Sequence, residues 1–147
     1  MDWILGLPPW PPQIGTYNAV LTFTDRATKM VHFVPASLFE KATDTARYIM
    51  HYIVRQHGLP RSIFCDRDSR FLSIFWRTVM DRLGVAAHHS SGFHPQANGQ
   101  AERTNQNLRQ YLRAVVKYIP DWVAALDTAE MAINNANIKT QNSVHTC

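Results

Sequence analysis

Three acidic side chains occupy positions from which they could hold metal ions. Asp66 follows the apolar run at residues 62–65 and opens a polar turn, so its carboxylate is expected to project from a strand end into a cleft. Asp2 begins another apolar run, and Glu102 lies in the first turn of a predicted long helix, where the helix dipole favours a carboxylate. Carboxylates from separate elements can hold two Mg²⁺ ions about 3.5–4 Å apart, which neutralise the attacking and leaving oxygens in phosphoryl transfer. The three acids therefore form a candidate site for that chemistry.

Each of these acids also has an ordinary structural explanation. Asp2 could be a surface acid near the chain terminus, Asp66 a turn former and Glu102 a helix-terminal charge. For any one acid taken singly, the structural explanation is the stronger. Residue type and order alone therefore leave the function open.

The composition indicates one globular domain. The 147 residues are 46% hydrophobic and 18% charged, with four Trp and seven Phe, which is unlike the polar, aromatic-poor composition of disordered chains. The net charge of +4 favours polyanionic partners weakly. Two cysteines, Cys65 and Cys147, cannot build a disulfide framework or a Cys/His zinc site. Because no apolar run approaches about 20 residues, no membrane span is predicted, and we expect a soluble intracellular protein.

The elements that must position the acids alternate between strands and helices. Apolar runs predict strands at residues 2–5, 19–24, 30–34, 62–65 and 85–88, with the second and third joined as a hairpin. Helical periodicity predicts helices at 44–57, which Gly58 and Pro60 end, and at 72–83, which Gly84 ends. A polar loop at 90–99 precedes a long helix to about residue 119, and a last helix runs over 121–137. This order predicts an α/β fold with a mixed sheet flanked by helices.

Two motifs resemble those of retroviral and gypsy-type LTR retrotransposon integrases. FCDRDSRF at residues 64–71 is similar to the block around their second catalytic Asp, and FHPQANGQAER at 93–103 resembles their Glu block. The 35 residues between Asp66 and Glu102 match the spacing that names the family's DDE motif. DWILGLP at 2–8 resembles the first-Asp block, and DRATK at 25–29 and FVP at 33–35 resemble the family's second and third strands, so the similarity covers nearly the whole chain.

The resemblance implies an RNase H-like fold with a mixed five-stranded sheet flanked by helices. It implies an enzyme that trims retroelement DNA 3′ ends and joins them to target DNA, with Asp2, Asp66 and Glu102 holding Mg²⁺ or Mn²⁺. Family members act on DNA as multimers, so a nuclear homo-oligomer without membrane contact is expected. Residues 1–147 would then be an integrase catalytic core that is cut at both ends.

The predicted long helix carries a basic row beside Glu102. At about 100° per residue, Gln106, Arg109, Arg113 and Lys117 lie within about 60° of the acid, which suits contact with DNA phosphates. The opposite side carries the predicted core stripe of Leu108, Leu112, Val115 and Ile119. A solvated polar face is the alternative explanation of the row. The resemblance implies further DNA contacts from the loop residues His94, Gln96, Asn98 and Gln100, for which polar loop filler is the alternative explanation, and from Arg103 next to Glu102.

Other conspicuous residues are predicted to be structural. His88 and His89 should point to opposite faces of a strand, which disfavours a shared metal, and Cys65 should be a buried small hydrophobe. Trp76, Trp122 and the methionines fit core positions of helices. Two alternative functions stay open: a catalytically inactive nucleic-acid-binding or partner-binding module whose frayed first strand disables metal binding, and another RNase H-like nuclease or a cut-and-paste transposase, which the block at 94–103 disfavours.

Overall fold

A computed structural model describes residues 1–11, 16–89, 95–118 and 120–144. At residues 95–98, 100–101, 115–117 and 140–144 it describes the backbone alone. The strands are β1 (Asp2–Ile4), β2 (Ala19–Thr24), β3 (Val31–Ala36), β4 (Ser62–Cys65) and β5 (Ala86–His89). The helices are α1 (Ala42–Tyr48), α2 (Arg55–His57), α3 (Ser69–Leu72), α4 (Ile74–Leu83), α5 (Pro95–Tyr118) and α6 (Trp122–Val144), with a π-helical turn (Ile49–Val54) between α1 and α2.

The chain divides into two compact units. The first comprises Met1–Asp2 and Phe39–Ala97, and the second comprises Trp3–Leu38 and Asn98–Cys147.

The second unit is built on a sheet in the order β1-β2-β3. Strands β2 and β3 pair antiparallel, with Ala19 opposite Ala36 and Thr24 opposite Val31, which confirms the predicted hairpin. The Asp25 carboxylate stabilises the connecting turn by accepting hydrogen bonds from Ala27 N at 3.1 Å and from the Thr28 hydroxyl at 2.7 Å. Because five of the six residues of β2 are buried, this strand forms the centre of the sheet.

The core of the second unit lies between this sheet and helices α5 and α6. Leu108 and Leu112 of α5 are fully buried, as the predicted core stripe requires, and Trp122 and Leu126 of α6 join them. These side chains pack with a set of apolar residues from the strands, namely Ile4, Val20, Val31 and Phe33. The indole of Trp122 also donates a hydrogen bond to Pro8 O at 2.8 Å, so the buried ring keeps a polar partner.

Polar side chains of α6 satisfy the backbone of β3. Asn134 accepts from Val31 N at 2.8 Å and donates to Val31 O at 2.9 Å. One turn earlier, Glu130 accepts from Phe33 N at 2.8 Å and lies 3.1 Å from the His32 ring, where it forms an ion pair when His32 is protonated. Unpaired backbone groups at a strand edge can pair with a strand of another chain. These side chains therefore prevent such pairing at β3, and they also hold α6 in contact with the strand.

The first unit combines a two-stranded parallel sheet, β4-β5, with the shorter helices. Its buried side chains include Phe71 and Trp76, whose ring centroids lie 5.3 Å apart, and Met80 of α4. Gly84 ends the helix α4, as predicted. It adopts the left-handed conformation (φ 68°) that glycine commonly takes at the C-terminal end of a helix.

Several sequence predictions are wrong in detail. The strands form separate sheets of three and two strands, not one sheet of five. Met1 N, just before β1, donates a hydrogen bond to Phe64 O of β4 at 2.7 Å. A single hydrogen bond is not a strand ladder, so β1 and β4 are not paired. The expected loop at 90–99 is helical from Pro95 onward, because proline is well suited to the first turn of a helix.

The helices also depart from prediction at their ends and in one burial assignment. The helix expected at 72–83 is interrupted at Ser73, whose hydroxyl caps α4 by accepting from Trp76 N at 3.1 Å. The last helix extends to Val144, beyond the expected residue 137. Trp76 and Trp122 are buried as predicted, whereas Met50 and Met131 are exposed. None of the described helices combines the length and the apolar character that crossing a membrane requires.

We predict that Asn134→Ala lowers the free energy of unfolding by about 2 kcal/mol or more, because it leaves two buried backbone groups of Val31 without their partner. Urea unfolding followed by circular dichroism measures this change. Asn135→Ala is the matched control, since Asn135 is the next residue of α6 and is exposed. Equal losses in the two variants would contradict this account of the β3 edge.

Candidate active site

The carboxylate of Asp66 is held by the turn that follows β4. Asp68 N donates to Asp66 Oδ1 at 3.1 Å. Asp68 in turn caps α3 by accepting from Arg70 N at 2.9 Å, and the Arg70 guanidinium grips its carboxylate with two hydrogen bonds of 2.7 Å. These hydrogen bonds from Arg70 lower the pKa of Asp68. The turn is therefore fixed by an ionised Asp68, which places Asp66 at the strand end, as predicted.

Asp2 and Asp66 lie in hydrogen-bonding contact. Asp2 is the first residue of β1, and the neighbouring Met1 amino group is anchored to Phe64 O in β4. Burial, the hydrogen bond with the Asp2 carboxyl and the negative charge of Asp2 together raise the pKa of Asp66 to about 6, against the smaller opposing effect of the hydrogen bond from Asp68 N. The structure thus brings together two of the three predicted acids, from the start of one strand and the end of another.

The groups around this pair carry little competing charge. Burial lowers the pKa of the Met1 amino group, which weakens it as a counterion. Burial also raises the pKa of the Cys65 thiol to about 11, so the thiol stays neutral. Cys65 is 2% exposed, with Sγ 3.7 Å from His88 O and 3.9 Å from His89 Nδ1. The prediction that Cys65 is a buried small hydrophobe is confirmed.

The third predicted acid, Glu102, belongs to the second unit. It lies on α5 and is exposed, as is its neighbour Arg103. The prediction that Glu102 lies in the first turn of the helix is wrong, because α5 begins at Pro95, about two turns before it. Among the described residues, no three His, Cys, Asp or Glu side chains cluster in a way that could hold a metal ion. The catalytic roles of all three acids therefore stay predictions. The contact between Asp2 and Asp66 is the part of the candidate site that the structure shows.

The predicted basic row is an exposed face of α5 in the second unit. Gln106, Arg109 and Arg113 are exposed, opposite the buried Leu108 and Leu112. A cleft of about 390 Å³ lies beside this row and is lined by the two arginines together with Trp3, Ile4, Leu5, Gly6 and Leu7. A concave surface with two guanidinium groups suits a phosphate group, which arginine binds through paired hydrogen bonds.

The remaining predicted DNA contacts are less well defined. His94 lies outside the described residues. Four others have a described backbone only, within α5: Gln96, Asn98, Gln100 and Lys117. Their contact with DNA stays a prediction.

One pairing near the candidate site was missed by the sequence analysis. Phe64 of β4 and His88 of β5 are register partners whose rings are stacked, with centroids 4.8 Å apart. The sequence predicted a structural role for His88, because adjacent strand residues point to opposite faces and His88 and His89 could not share a metal. The signal was an aromatic residue in each of two strands, but their parallel register could not be read from the sequence.

In chemical terms, two carboxylates in contact form a strongly negative oxygen pair once both are ionised. Such a pair either retains a proton or is stabilised by a cation, and hard divalent cations prefer oxygen ligands of this kind. The donor set at Asp2 and Asp66 therefore fits Mg²⁺ or Mn²⁺ chemistry.

The fold is that of retroviral integrase catalytic cores. A chain of the cryo-electron microscopy structure of the simian T-cell lymphotropic virus intasome in complex with PP2A regulatory subunit B56 gamma superposes with a TM-score of 0.65 at 18% identity, over 90% of this chain and 46% of that chain. The HTLV-2 integrase catalytic core domain in complex with magnesium (dimeric form) superposes with a TM-score of 0.59 at 18% identity, over 76% of this chain and 71% of that one. These likenesses show an RNase H-like α/β fold.

In sequence, the chain is similar to retrotransposon polyproteins. It is 33% identical over 137 residues to the Transposon Tf2-3 polyprotein of Schizosaccharomyces pombe, and equally similar to the Tf2-4 polyprotein. Each match covers 92% of this chain but 10% of the polyprotein, so the chain spans about a tenth of the length of these relatives. No protein-family model matches the sequence. Relatives and fold together confirm the resemblance to an integrase catalytic core.

The raised pKa of Asp66 makes stability depend on pH. Since the pKa rises from 3.8 to about 6 on folding, the folded state binds the proton more tightly, and this stabilisation is lost as the pH rises through about 6. We predict that in EDTA at neutral pH Asp66→Asn is more stable than wild type by on the order of 1 kcal/mol, discounted because Asp66 is only half-buried.

Chemical denaturation of both proteins at neutral pH and near pH 4 measures this difference, which should vanish at the lower pH because Asp66 is protonated in the folded wild type. Asp81→Asn, at an exposed acid of α4, should not show the neutral-pH gain. A gain of the same size at both pH values would contradict the electrostatic explanation.

Proposed function

We propose that this chain is an integrase catalytic core that carries out metal-dependent polynucleotidyl transfer on retroelement DNA. The observation that carries the proposal is the contact between the Asp2 and Asp66 carboxyls in a fold shared with integrase cores. The proposed reactions are the hydrolytic trimming of DNA 3′ ends and the attack of the resulting hydroxyls on target DNA. Both displace one oxygen on a phosphodiester by another, so one set of carboxylates serves both.

Asp2, Asp66 and Glu102 are the residues proposed to hold Mg²⁺ or Mn²⁺. When bound, the metal would neutralise charge that builds on the attacking and leaving oxygens. The turn at Asp68 fixes one of the ligands, and the partial burial of Asp66 strengthens its attraction for a cation, because charges interact more strongly away from bulk water. Magnesium is named in one of the structures with this fold, which supports the choice of metal.

DNA is the proposed partner. Arg109 and Arg113 would contact backbone phosphates at the cleft on α5, with Arg103, Gln106 and Lys117 along the same helix. His94, Gln96, Asn98 and Gln100 are proposed to touch the DNA end. The structures with this fold include an intasome and a dimeric integrase core, which supports a homo-oligomer. A nuclear location is proposed with the function.

A catalytically inactive DNA-binding module is the alternative. The observation that favours it is that Asp2 and Asp66 form a pair, while among the described residues no third metal-binding side chain joins them. Such a module would keep the basic face and bind DNA without cutting or joining it.

Asp66→Asn is predicted to reduce strand transfer, and its reverse disintegration reaction, to the protein-free background, because it removes the carboxylate charge that holds the metal. Labelled oligonucleotides with Mg²⁺ or Mn²⁺ measure both reactions on the 147-residue chain. Asp81→Asn should retain full activity.

Folding of each variant is verified by circular dichroism before activity is compared. If wild type and Asp66→Asn both produce no more than the protein-free background while binding DNA normally, the chain is the inactive module. Equal product above the background would overturn the proposed role of Asp66.

The double variant Arg109→Ala with Arg113→Ala is predicted to bind DNA more weakly and to reduce the slope of log affinity against log salt by about 2, because about one counterion is released per phosphate contact. Fluorescence anisotropy over a salt series measures the slope.

The control is Arg77→Ala with Arg82→Ala, which removes the same charge from two exposed positions on α4. If the two double variants give identical slopes of log affinity against log salt, the basic face of α5 does not contact DNA phosphates.

A further inference from the structure

The turn that follows β4 contains an ion pair that is largely shielded from solvent. The Arg70 guanidinium donates from Nε to Asp68 Oδ1 and from Nη2 to Asp68 Oδ2, both at 2.7 Å. The side chains of Arg70 and Asp68 are only 12% and 18% exposed. Two parallel hydrogen bonds between planar groups fix the orientation of both, so the pair holds the turn in one geometry.

Both partners of this ion pair are anchored in the packed part of the first unit. The Ser73 hydroxyl donates to Arg70 O at 2.8 Å and accepts from Trp76 N at 3.1 Å. Phe71 N donates to Asp68 O at 3.0 Å, and the buried Phe71 ring lies 5.3 Å from the ring of Trp76. Movement of the pair would therefore disturb the core around Trp76.

The ion pair is connected to the candidate metal ligand Asp66 by one hydrogen bond. Asp68 N donates to Asp66 Oδ1 at 3.1 Å, so the position of the Asp68 backbone determines how the Asp66 carboxylate is oriented. Groups that hydrogen-bond a metal-binding carboxylate orient it, and their removal typically lowers metal affinity about 10–100-fold. Arg70 acts on Asp66 through Asp68 in this way.

A rigidly held carboxylate favours some cations over others. Mg²⁺ requires a nearly ideal octahedron of oxygen ligands at about 2.0–2.1 Å. Ca²⁺ accepts more ligands, at about 2.3–2.6 Å, in a flexible arrangement. A ligand that is free to move would therefore bind Mg²⁺ much less well, while its binding of Ca²⁺ would change little.

We propose that Arg70 is a positioning residue, which through Asp68 fixes the Asp66 carboxylate and so gives the candidate metal site its preference for Mg²⁺ over Ca²⁺. The inference rests on the proposed function, because it takes Asp66 as a metal ligand. It assigns to the ion pair a role in the choice of cation, beyond its role in the fold of the turn.

Arg70→Gln should lower the affinity for Mg²⁺ about tenfold or more and the affinity for Ca²⁺ less than about threefold. Isothermal titration calorimetry with each metal chloride measures both affinities without DNA. Arg70→Lys keeps the charge but lacks the planar fork, so its ratio of Mg²⁺ to Ca²⁺ affinity should lie between those of wild type and Arg70→Gln. Arg70→Lys decides the question if Arg70→Gln does not fold.

A double variant tests whether Arg70 acts through Asp68. Asp68→Asn keeps the backbone N–H that contacts Asp66 but removes one of the two oxygens that accept from the guanidinium. It should lower the affinity ratio as Arg70→Gln does. The variant with both substitutions should be no worse than the poorer single variant, because both remove the same contact.

Two controls separate positioning from general stability. Arg47→Gln removes another Arg–Asp ion pair of the first unit, between Arg47 and Asp44 of α1, in which Arg47 is 74% exposed. Met80→Ala creates a cavity in the core of the same unit and should lower the free energy of unfolding, measured with urea. Both variants should keep the wild-type ratio of Mg²⁺ to Ca²⁺ affinity.

An unchanged Mg²⁺ affinity in Arg70→Gln, or an equal loss of affinity for both cations, overturns the proposal. So does a fall of the same size in Met80→Ala, because the ratio would then follow stability. Wild type that binds neither cation also overturns it.

The proposed function is tested separately by strand transfer. If Arg70→Gln keeps the wild-type ratio while Asp66→Asn loses strand transfer, the inference fails and the function stands. If the ratio falls as predicted but wild type makes no product, the inference stands and the function fails.

Discussion

Two carboxyl groups in contact repel each other once both are ionised, and the candidate site depends on this constraint. The partial burial of Asp66, its hydrogen bond with Asp2 and the repulsion between the two acids raise the pKa of Asp66 to about 6. Near neutral pH the pair can therefore either keep a proton or accept a cation. An isolated pair of this kind destabilises the folded protein. A divalent cation would remove that cost, which is the physical reason to interpret the pair as a metal site and not as two surface acids.

The surrounding structure holds the pair in place against this repulsion. Asp68, ionised through its two hydrogen bonds with Arg70, fixes the turn and donates its amide to Asp66, and the Met1 amino group ties the start of β1 to β4. In the second unit, Asn134 of α6 stabilises the edge of β3 in a similar way. Its side chain forms hydrogen bonds with the backbone N–H and C=O of Val31. In both places a polar side chain close to a strand sets the local geometry.

Local secondary structure was predictable from the sequence, whereas the pairing between strands that are distant in the chain was not. The strand β2, the hairpin and the glycine at the end of α4 follow from apolar alternation, turn residues and the left-handed conformation of Gly84. The division into two small sheets could not be predicted, because it depends on whether β1 makes a full ladder with β4, and periodicity carries no information about partners. The stacking of Phe64 on His88 was missed for the same reason, since it requires the parallel register. Of the acids, Asp66 was placed correctly by its position after an apolar strand.

The central claim is that the Asp2 and Asp66 carboxyls together bind a divalent cation. Titration of the chain with Mn²⁺ at neutral pH, followed by the electron paramagnetic resonance signal of the free ion, tests it without any substrate. The account predicts that wild type and Asp81→Asn take up Mn²⁺ equally, and that Asp2→Asn and Asp66→Asn each lose this binding because a hard cation needs both oxygen donors. Undiminished Mn²⁺ uptake by the correctly folded Asp66→Asn variant would contradict it.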